Sequence, residues 1–449
     1  MRLSLPGIAS MVAISLYNLV DTFWVARLGY QAIAAITVVM PFFILCIAVG
    51  VGTGVGVNAL ASRQFGERDI ESANQVAGQT YFLSLVIGTV FLVLTNFFPR
   101  QILLLTGATP DVLDFGQAYL RVFGLGMPLM FFSIITRNVF QASGDAVRPM
   151  YFTIIAQVVN VVLDPFLIFG WGFFPEMGIA GAALATVLAN AINAGLAIFY
   201  IMSRRTPYTI EKRHFVPAPK AIVGIYRVGL PSMFMEITES IIFALFNHVV
   251  AGFGSVALAA VGIAGRISDL AFMPIIGTGH ALLPIVGFSL GARLWARLWQ
   301  AVRQASLYLV AFMAVATIIL EIFTRQFVEV FSHDPELISI AVPGMRIFLS
   351  TLILIGPTIM FITTFQGLSK GKDAMILSLA RQLIFFVPAL YGLTHFMGIY
   401  GVWVSMPLSD IAGALVSGFW ILREYRVQKK NPAWAAPQAR LTNPSGTSD

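Results

Sequence analysis

Apolar residues run for some twenty positions at a time along this chain, and short polar or charged stretches punctuate the runs. Runs of that length cross a bilayer as helices, because a helix satisfies its own backbone hydrogen bonds inside hydrocarbon. Read with the turn and charge punctuation, the pattern predicts spans near 3–26, 32–62, 74–97, 113–140, 149–171 and 177–203. A basic, proline-containing linker at about 204–220 follows, and then a second set near 222–251, 257–289, 297–322, 337–366, 373–395 and 398–424. The expected architecture is an all-α integral membrane protein of twelve transmembrane helices. Its amino-terminal lobe occupies 1–203 and its carboxy-terminal lobe 221–426, with a polar tail at 427–449, rich in Pro, Ala and Ser, that should be disordered.

The two sets repeat one another. Leu5-Pro6 returns as Leu230-Pro231, Gly52-Thr53-Gly54 as Gly277-Thr278-Gly279, Gly66 as Gly291 and Phe140-Gln141 as Phe365-Gln366, all at a shift of 225 residues. Later, Met177-Gly178-Ile179 reappears as Met397-Gly398-Ile399. Matches holding one register over such a distance point to duplication. Six spans per half is an even number, so both halves enter the membrane in the same direction. Parallel repeats of this kind pack about an axis along the membrane normal and leave a cleft between them, the expected place for binding and gating in a transporter.

Composition agrees with a lipid solvent: 58% of the 449 residues are hydrophobic, 11% are charged, and the mean hydropathy is +0.83. The net charge of +7 comes from short basic clusters between apolar runs, not from a stripe that would bind nucleic acid. Those clusters, among them Arg63, Arg68, Arg148, Arg293 and Lys370, fall in loops on one side, which by the positive-inside rule is the cytoplasm and holds both termini. The first apolar stretch runs to Arg27 with Asp21 inside it and no small-residue cleavage site, so it should stay as a membrane helix. The lone Cys46 allows neither an internal disulfide nor a cysteine metal site. His-Glu-x-x-His, a phosphate-binding Gly-rich loop and a nucleophile elbow are all missing, so the chain is not expected to be an enzyme, and transport would draw on an ion gradient or a separate ATPase subunit.

Charged side chains at membrane depth cost at least about 2.5–3.5 kcal/mol on insertion scales and need a partner, water or a task. Asp21 in the first span and Asp164 in the fifth have no basic partner a turn away. Asn160 and Asp164 stand at i and i+4 on one helix face, and Pro165 frees the carbonyl of Val161 beside them. Tyr17 and Asn18 share a face with Asp21, and Thr186 in the sixth span has a hydroxyl that could complete the group. Hard oxygen ligands of this kind suit sodium or a bound proton and are poor for zinc or copper. The competing reading is that each Asp merely fixes helix packing. In the second half Glu236 and Glu239, at i and i+3, form a candidate supporting or second-lobe site unless Arg266 neutralises one of them. Asp269 is either part of such a site or an ion-pair partner of Arg266, and Asp410 reads as a packing carboxylate. His248 and His280 each stand alone and are read as packing residues.

Leu16-Tyr17-Asn18-Leu19-Val20-Asp21-Thr22, then Arg27-Leu28-Gly29, Gln141-Ala142-Ser143-Gly144-Asp145 and Gly181-Ala182-Ala183-Leu184-Ala185-Thr186 resemble signatures of the prokaryotic multidrug and toxic compound extrusion (MATE) family, over the chain to about residue 424. The resemblance implies a V-shaped fold of two six-helix lobes that exports organic cations and other amphipathic compounds in exchange for sodium or protons. It places the amino-terminal ion site on Asp21, Asn160, Asp164 and Thr186, the first-helix proline on Pro6 as a hinge, and a seventh-helix acid on Glu239 or Glu236. Only five residues precede Pro6, whereas its repeat partner Pro231 has a longer run of helix before it, so either the chain starts late or the first helix is short.

The expected function is therefore secondary antiport of small organic molecules by alternating access, as a monomer in the plasma (inner) membrane. No cofactor beyond the coupling ion, no nucleic acid and no metal other than sodium is expected. A lipid-linked precursor flippase of related architecture is the first rival, and an intramembrane enzyme or scaffold the second.

Overall fold

A computed structural model describes residues 4–172 and 174–430, apart from the side chains of Ser4, Asp269 and Leu270. The first half comprises α1 (Ser4–Ala26), α2 (Tyr30–Glu67), α3 (Ile70–Phe97), a short α4 (Pro99–Leu105), α5 (Pro110–Leu125), α6 (Met127–Ala142), α7 (Val147–Phe169) and α8 (Ile179–Met202). A 3-10 turn at Lys212–Phe215 lies in the linker. The second half comprises α9 (Pro219–Ala251), α10 (Ser255–Gly291), α11 (Trp295–Ile322), a short α12 (Thr324–Glu329), α13 (Pro335–Leu349), α14 (Leu352–Gly367), α15 (Gly371–Leu379), a π-helical stretch (Ala380–Phe386), α16 (Val387–Met397) and α17 (Ile399–Lys429). Among the described residues ten helices are long and apolar enough to cross a membrane, and two bent pairs bring the count to twelve. The last helix runs to Lys429, beyond the lobe end expected at 426; the tail from residue 431 lies outside the described residues.

The bent pairs are where the expected continuous spans differ from the structure. The fourth span breaks between α5 and α6 with a 55° bend, and the tenth between α13 and α14 with a 48° bend. At the first break Pro128 follows directly on Gly126-Met127, and a residue before proline is pushed off helical geometry. At the second, the Ser350 hydroxyl donates to the carbonyl of Ile347 at 2.6 Å, competing with the backbone ladder. Residue 126 maps onto 351 at the shift of 225, so the break belongs to the repeat.

Backbone conformation carries the same register. Gly29 (φ 106°) and Gly254 (φ 102°) open α2 and α10; Gly178 (φ 55°) and Gly398 (φ 57°) open α8 and α17. These are left-handed or otherwise glycine-favouring positions, which is why glycine recurs at both copies.

The distribution of side chains is that of a protein in lipid. Large apolar groups such as Phe199, Leu415 and Phe419 are exposed, while Thr53, Asn58, Ser62, Gln79 and Asn160 are fully buried. Each half has its own apolar core, one around Phe131, Leu120 and Leu103, the other around Met313, Met345 and Trp403. Between them, α1 and α2 of one half pack against α10 and α9 of the other, closed by Val55, Ala59, Val228 and Leu283. Small residues let these backbones approach, as membrane helix pairs require: a Cβ on Gly56 would collide with the carbonyl of Ile225 in α9, and one on Gly7 would sit 3.1 Å from Gly277 in α10.

The linker is strapped to α3 and does not hang free. Gln79, fully buried, donates through Nε2 to the carbonyls of His214 and Val216, each at 2.7 Å, and accepts from Ala218 N at 2.9 Å. Asn74 accepts from Thr209 N at 2.9 Å, and His214 Nε2 meets Glu71 Oε1 at 3.1 Å.

Candidate functional site

Five of the amino-terminal residues singled out in the sequence, Tyr17, Asp21, Asn160, Asp164 and Thr186, converge where α1, α7 and α8 meet. Asn160 and Asp164 are fully buried on one face of α7, one turn apart, and the helix carries on through Pro165. With the Asn160 amide oriented to satisfy both its ends, Nδ2 donates to Asp164 Oδ2 at 3.3 Å, while its oxygen accepts from Thr186 N at 3.1 Å and Thr186 Oγ1 at 3.3 Å. Tyr17 of α1 lies close to Thr186 and within electrostatic reach of both Asp21 and Asp164. The two carboxylates also act on each other.

Neither carboxylate has a positively charged partner within ion-pair distance among the described residues, and one oxygen of each, Oδ1, is buried with no hydrogen-bond partner. Two negative groups confined together in low dielectric repel strongly, so a small cation or a proton between them is favoured. The site lies just beneath an aromatic cluster: Trp24, three residues after Asp21, packs edge-on against Phe169 and Trp171 at 6.0 and 5.9 Å. Arg27 sits over Phe23 and Trp24, 4.6 and 4.9 Å from the ring centroids. Tryptophan and arginine so placed mark a membrane interface.

The other candidates are placed as follows. Asn18 is exposed, and its side chain takes no part in the hydrogen bonds of the cluster. Glu236 and Glu239 are exposed on α9, near enough to act on one another, and form no ion pair with Arg266, itself exposed, among the described residues. The side chain of Asp269 lies outside the described residues. Pro6 falls in the first turn of α1 as described, where proline removes no ladder bond, and the Ser10 hydroxyl donates to its carbonyl at 2.9 Å. Pro231 is well inside α9.

Two features escaped sequence reasoning. Tyr119 of α5 stacks on Phe123 at 5.7 Å and is coupled electrostatically to Asp21, Tyr17 and Asp164, adding a fourth helix to the site. One tyrosine in an apolar span carries no local signal of such a neighbourhood. Asp410, read as a packing carboxylate, has a charged partner in Arg381, 3.1 Å away. Arg381 stands a full helix away from Asp410, so no helical spacing in the sequence links the two.

The MatE family model matches the chain twice, over residues 6–166 and 231–391, and the second match is the first displaced by 225 residues. The chain belongs to the MatE family. The MatE match thus falls on the same duplication that the helix boundaries display. The chain is similar to the multidrug export protein MepA of Staphylococcus saprophyticus, 24% identical over 421 residues that make up 93% of this chain and 91% of the relative. It is also similar to the probable multidrug resistance protein YoeA of Bacillus subtilis, 27% identical over 426 residues, 92% and 91% of the two chains. Among solved structures, an outward-facing multidrug resistance MATE transporter of the MOP superfamily superposes with a TM-score of 0.90 at 28% identity, over 96% of both chains. A MOP superfamily transporter from Pyrococcus furiosus, whose binding pocket of reverse polarity was taken to suggest a different function, superposes at 0.89, again at 28% identity over 96% of both chains. The protein is accordingly a multi-pass membrane transporter of two repeated six-helix lobes.

Proposed function

We propose that this MatE-family protein is a secondary antiporter that exports small organic compounds, organic cations foremost, in exchange for a sodium ion or proton held by Asp21, Asn160, Asp164 and Thr186. The observation that carries this reading is the meeting of two unpaired carboxylates, an amide and a hydroxyl at membrane depth. A cation arriving there, or a cationic substrate acting on the same charges, competes with a bound proton, and that competition couples the two movements. The names of the relatives, multidrug export and multidrug resistance proteins, support the substrate class. Glu236 and Glu239, exposed and unpaired by any described base on a helix at the lobe junction, favour cationic over anionic cargo and speak against a lipid-linked precursor flippase with a cationic cleft.

The ion site sits in one lobe and the substrate cleft between two, so alternating access would read ion occupancy as a change in the relation of the lobes. The distribution of basic loops supports a cytoplasmic position for both termini, and the proposed antiporter works as a monomer in the plasma membrane. The test is transport in proteoliposomes with sodium and pH gradients imposed separately. A cationic dye should move against its gradient under one of them, and Asp164→Asn should abolish that movement in a protein that still folds. Full gradient-driven transport by the Asp164→Asn protein would overturn the site.

A further inference from the structure

The carboxy-terminal lobe also holds a carboxylate between its fifth and sixth spans, and there the chain supplies the cation. Asp410 of α17 is 5% exposed; Arg381, in the π-helical stretch between α15 and α16, places Nη1 3.1 Å from its Oδ1. Thr351, at the break between α13 and α14, donates to Oδ2 at 3.4 Å. The seat is shaped for the arginine. A Cβ on Gly413, one turn beyond Asp410, would stand 2.8 Å from Arg381 Cγ, so glycine lets the stem cross α17. Two irregularities, a broken span and a π-helical stretch, deliver these side chains, and such departures from the helical ladder concentrate at functional sites.

The repeat gives this pair its meaning. The shift of 225 carries Ala156 onto Arg381, and the shift of 220 that relates Gly178 to Gly398 carries Asn190 onto Asp410. Ala156 is one turn from Asn160, and Asn190 one turn from Thr186. At neighbouring levels of the same helix pair, then, one lobe keeps an amide and a hydroxyl beside two unpaired carboxylates, and the other keeps a carboxylate with a guanidinium. Arg381 is the charged group that acts on Asp410, with Thr351 its hydroxyl partner.

We propose that Arg381 is a tethered cation: its guanidinium permanently fills a latent cation site formed by Asp410 and Thr351, confining exchangeable ion binding to the lobe of Asp21 and Asp164. The inference rests on that lobe's reading as the coupling site. Removing the half-buried guanidinium leaves the buried charge of Asp410 to be compensated, and carboxylate with hydroxyl oxygen is a ligand set for sodium or a proton.

Cation uptake per chain is measured on purified protein, sodium by equilibrium dialysis and protons by potentiometric titration of the same samples. Arg381→Gln should bind an additional cation per chain relative to wild type, and the double variant Arg381→Gln, Asp410→Asn should lose it again. An Arg381→Gln protein that is folded yet binds no more than wild type overturns the proposal. Should Arg381→Gln not be recovered, Asp410→Asn decides: an unchanged count supports the tethered cation, and a lower one overturns it by making Asp410 an exchangeable site. If wild type binds no cation and Asp164→Asn changes nothing, the coupling site fails, while a gain on Arg381→Gln still reads out the latent one.

Discussion

Gly66 of α2 is pressed against the carbonyl oxygen of Phe288 in α10, and Gly291 of α10, its repeat counterpart, is pressed against the carbonyl oxygen of Arg63 in α2. Residues 63 and 288 are themselves 225 apart, so the contact maps onto itself when the halves are exchanged. It is the point at which the pseudo-twofold axis passes between two backbones.

Alanine at either glycine should therefore be costly, since a Cβ on each would collide with main chain that cannot step aside. Gly66→Ala and Gly291→Ala are expected to lose about 1–3 kcal/mol each, the usual range for overpacking. Gly418→Ala, where a Cβ meets nothing within 4 Å, should be neutral or slightly stabilising. Thermal unfolding in detergent compares the three, and equal midpoints would remove the close crossing from the account of stability.

Asn160→Ala tests the bridge between α7 and α8. It leaves Asp164 Oδ2 and the Thr186 hydroxyl without their amide partner in a fully buried place. Loss of such bonds costs about 1–3 kcal/mol, so the ion concentration giving half-maximal efflux should rise about tenfold or more. An unchanged half-maximal concentration would mean that the amide is not part of the ion's surroundings.

Tyr119→Phe keeps the stack on Phe123 and removes only the hydroxyl near the carboxylates. A shift of the same ion dependence by a few-fold, with stability unaltered, is expected. If maximal dye efflux fell while ion dependence stayed fixed, Tyr119 would belong to the substrate path instead.

Gln79→Leu breaks the strap of the linker. Three backbone groups, the carbonyls of His214 and Val216 and the N–H of Ala218, lose a partner together, for a loss of about 2–4 kcal/mol. Limited proteolysis should then cut within 204–220 faster than in wild type; equal cutting rates would show that other contacts hold the segment.

Asp69 caps α3 outside the membrane, accepting from Ser72 N at 3.0 Å, and the hydrogen bonds from Ser72 hold its carboxyl below the usual carboxylate range. A group lowered in the folded state stabilises above its unfolded value, near 3.9, and loses that contribution as pH falls through the folded one. Asp69→Ala should cost about 0.5–2 kcal/mol at neutral pH. The difference from wild type should vanish in strong acid, and a gap that persisted there would assign the effect to something other than the charged cap.

The spans and the repeat could be read from the chain because lipid imposes a length on every apolar run and duplication preserves register. Asp21 and Asp164 stood out for the same reason: a carboxylate is conspicuous among Leu, Val and Phe. Tyr119 did not, since a tyrosine is unremarkable in a span until its neighbours across helices are known. Arg381 and Asp410 are separated by 29 residues, beyond the reach of any helical spacing rule. The breaks at Gly126 and Thr351 were hidden by hydropathy, which sees apolar residues on either side and is blind to backbone direction.

The strap on α3 ends at Ala218, and α9 begins at the next residue. The seam between the two halves consequently has no slack. The proposed turning of the lobes would therefore pull on a rod and not on a loose tether, and the buried Pro231, which interrupts the ladder of α9 partway along, is the place in that rod where it can flex.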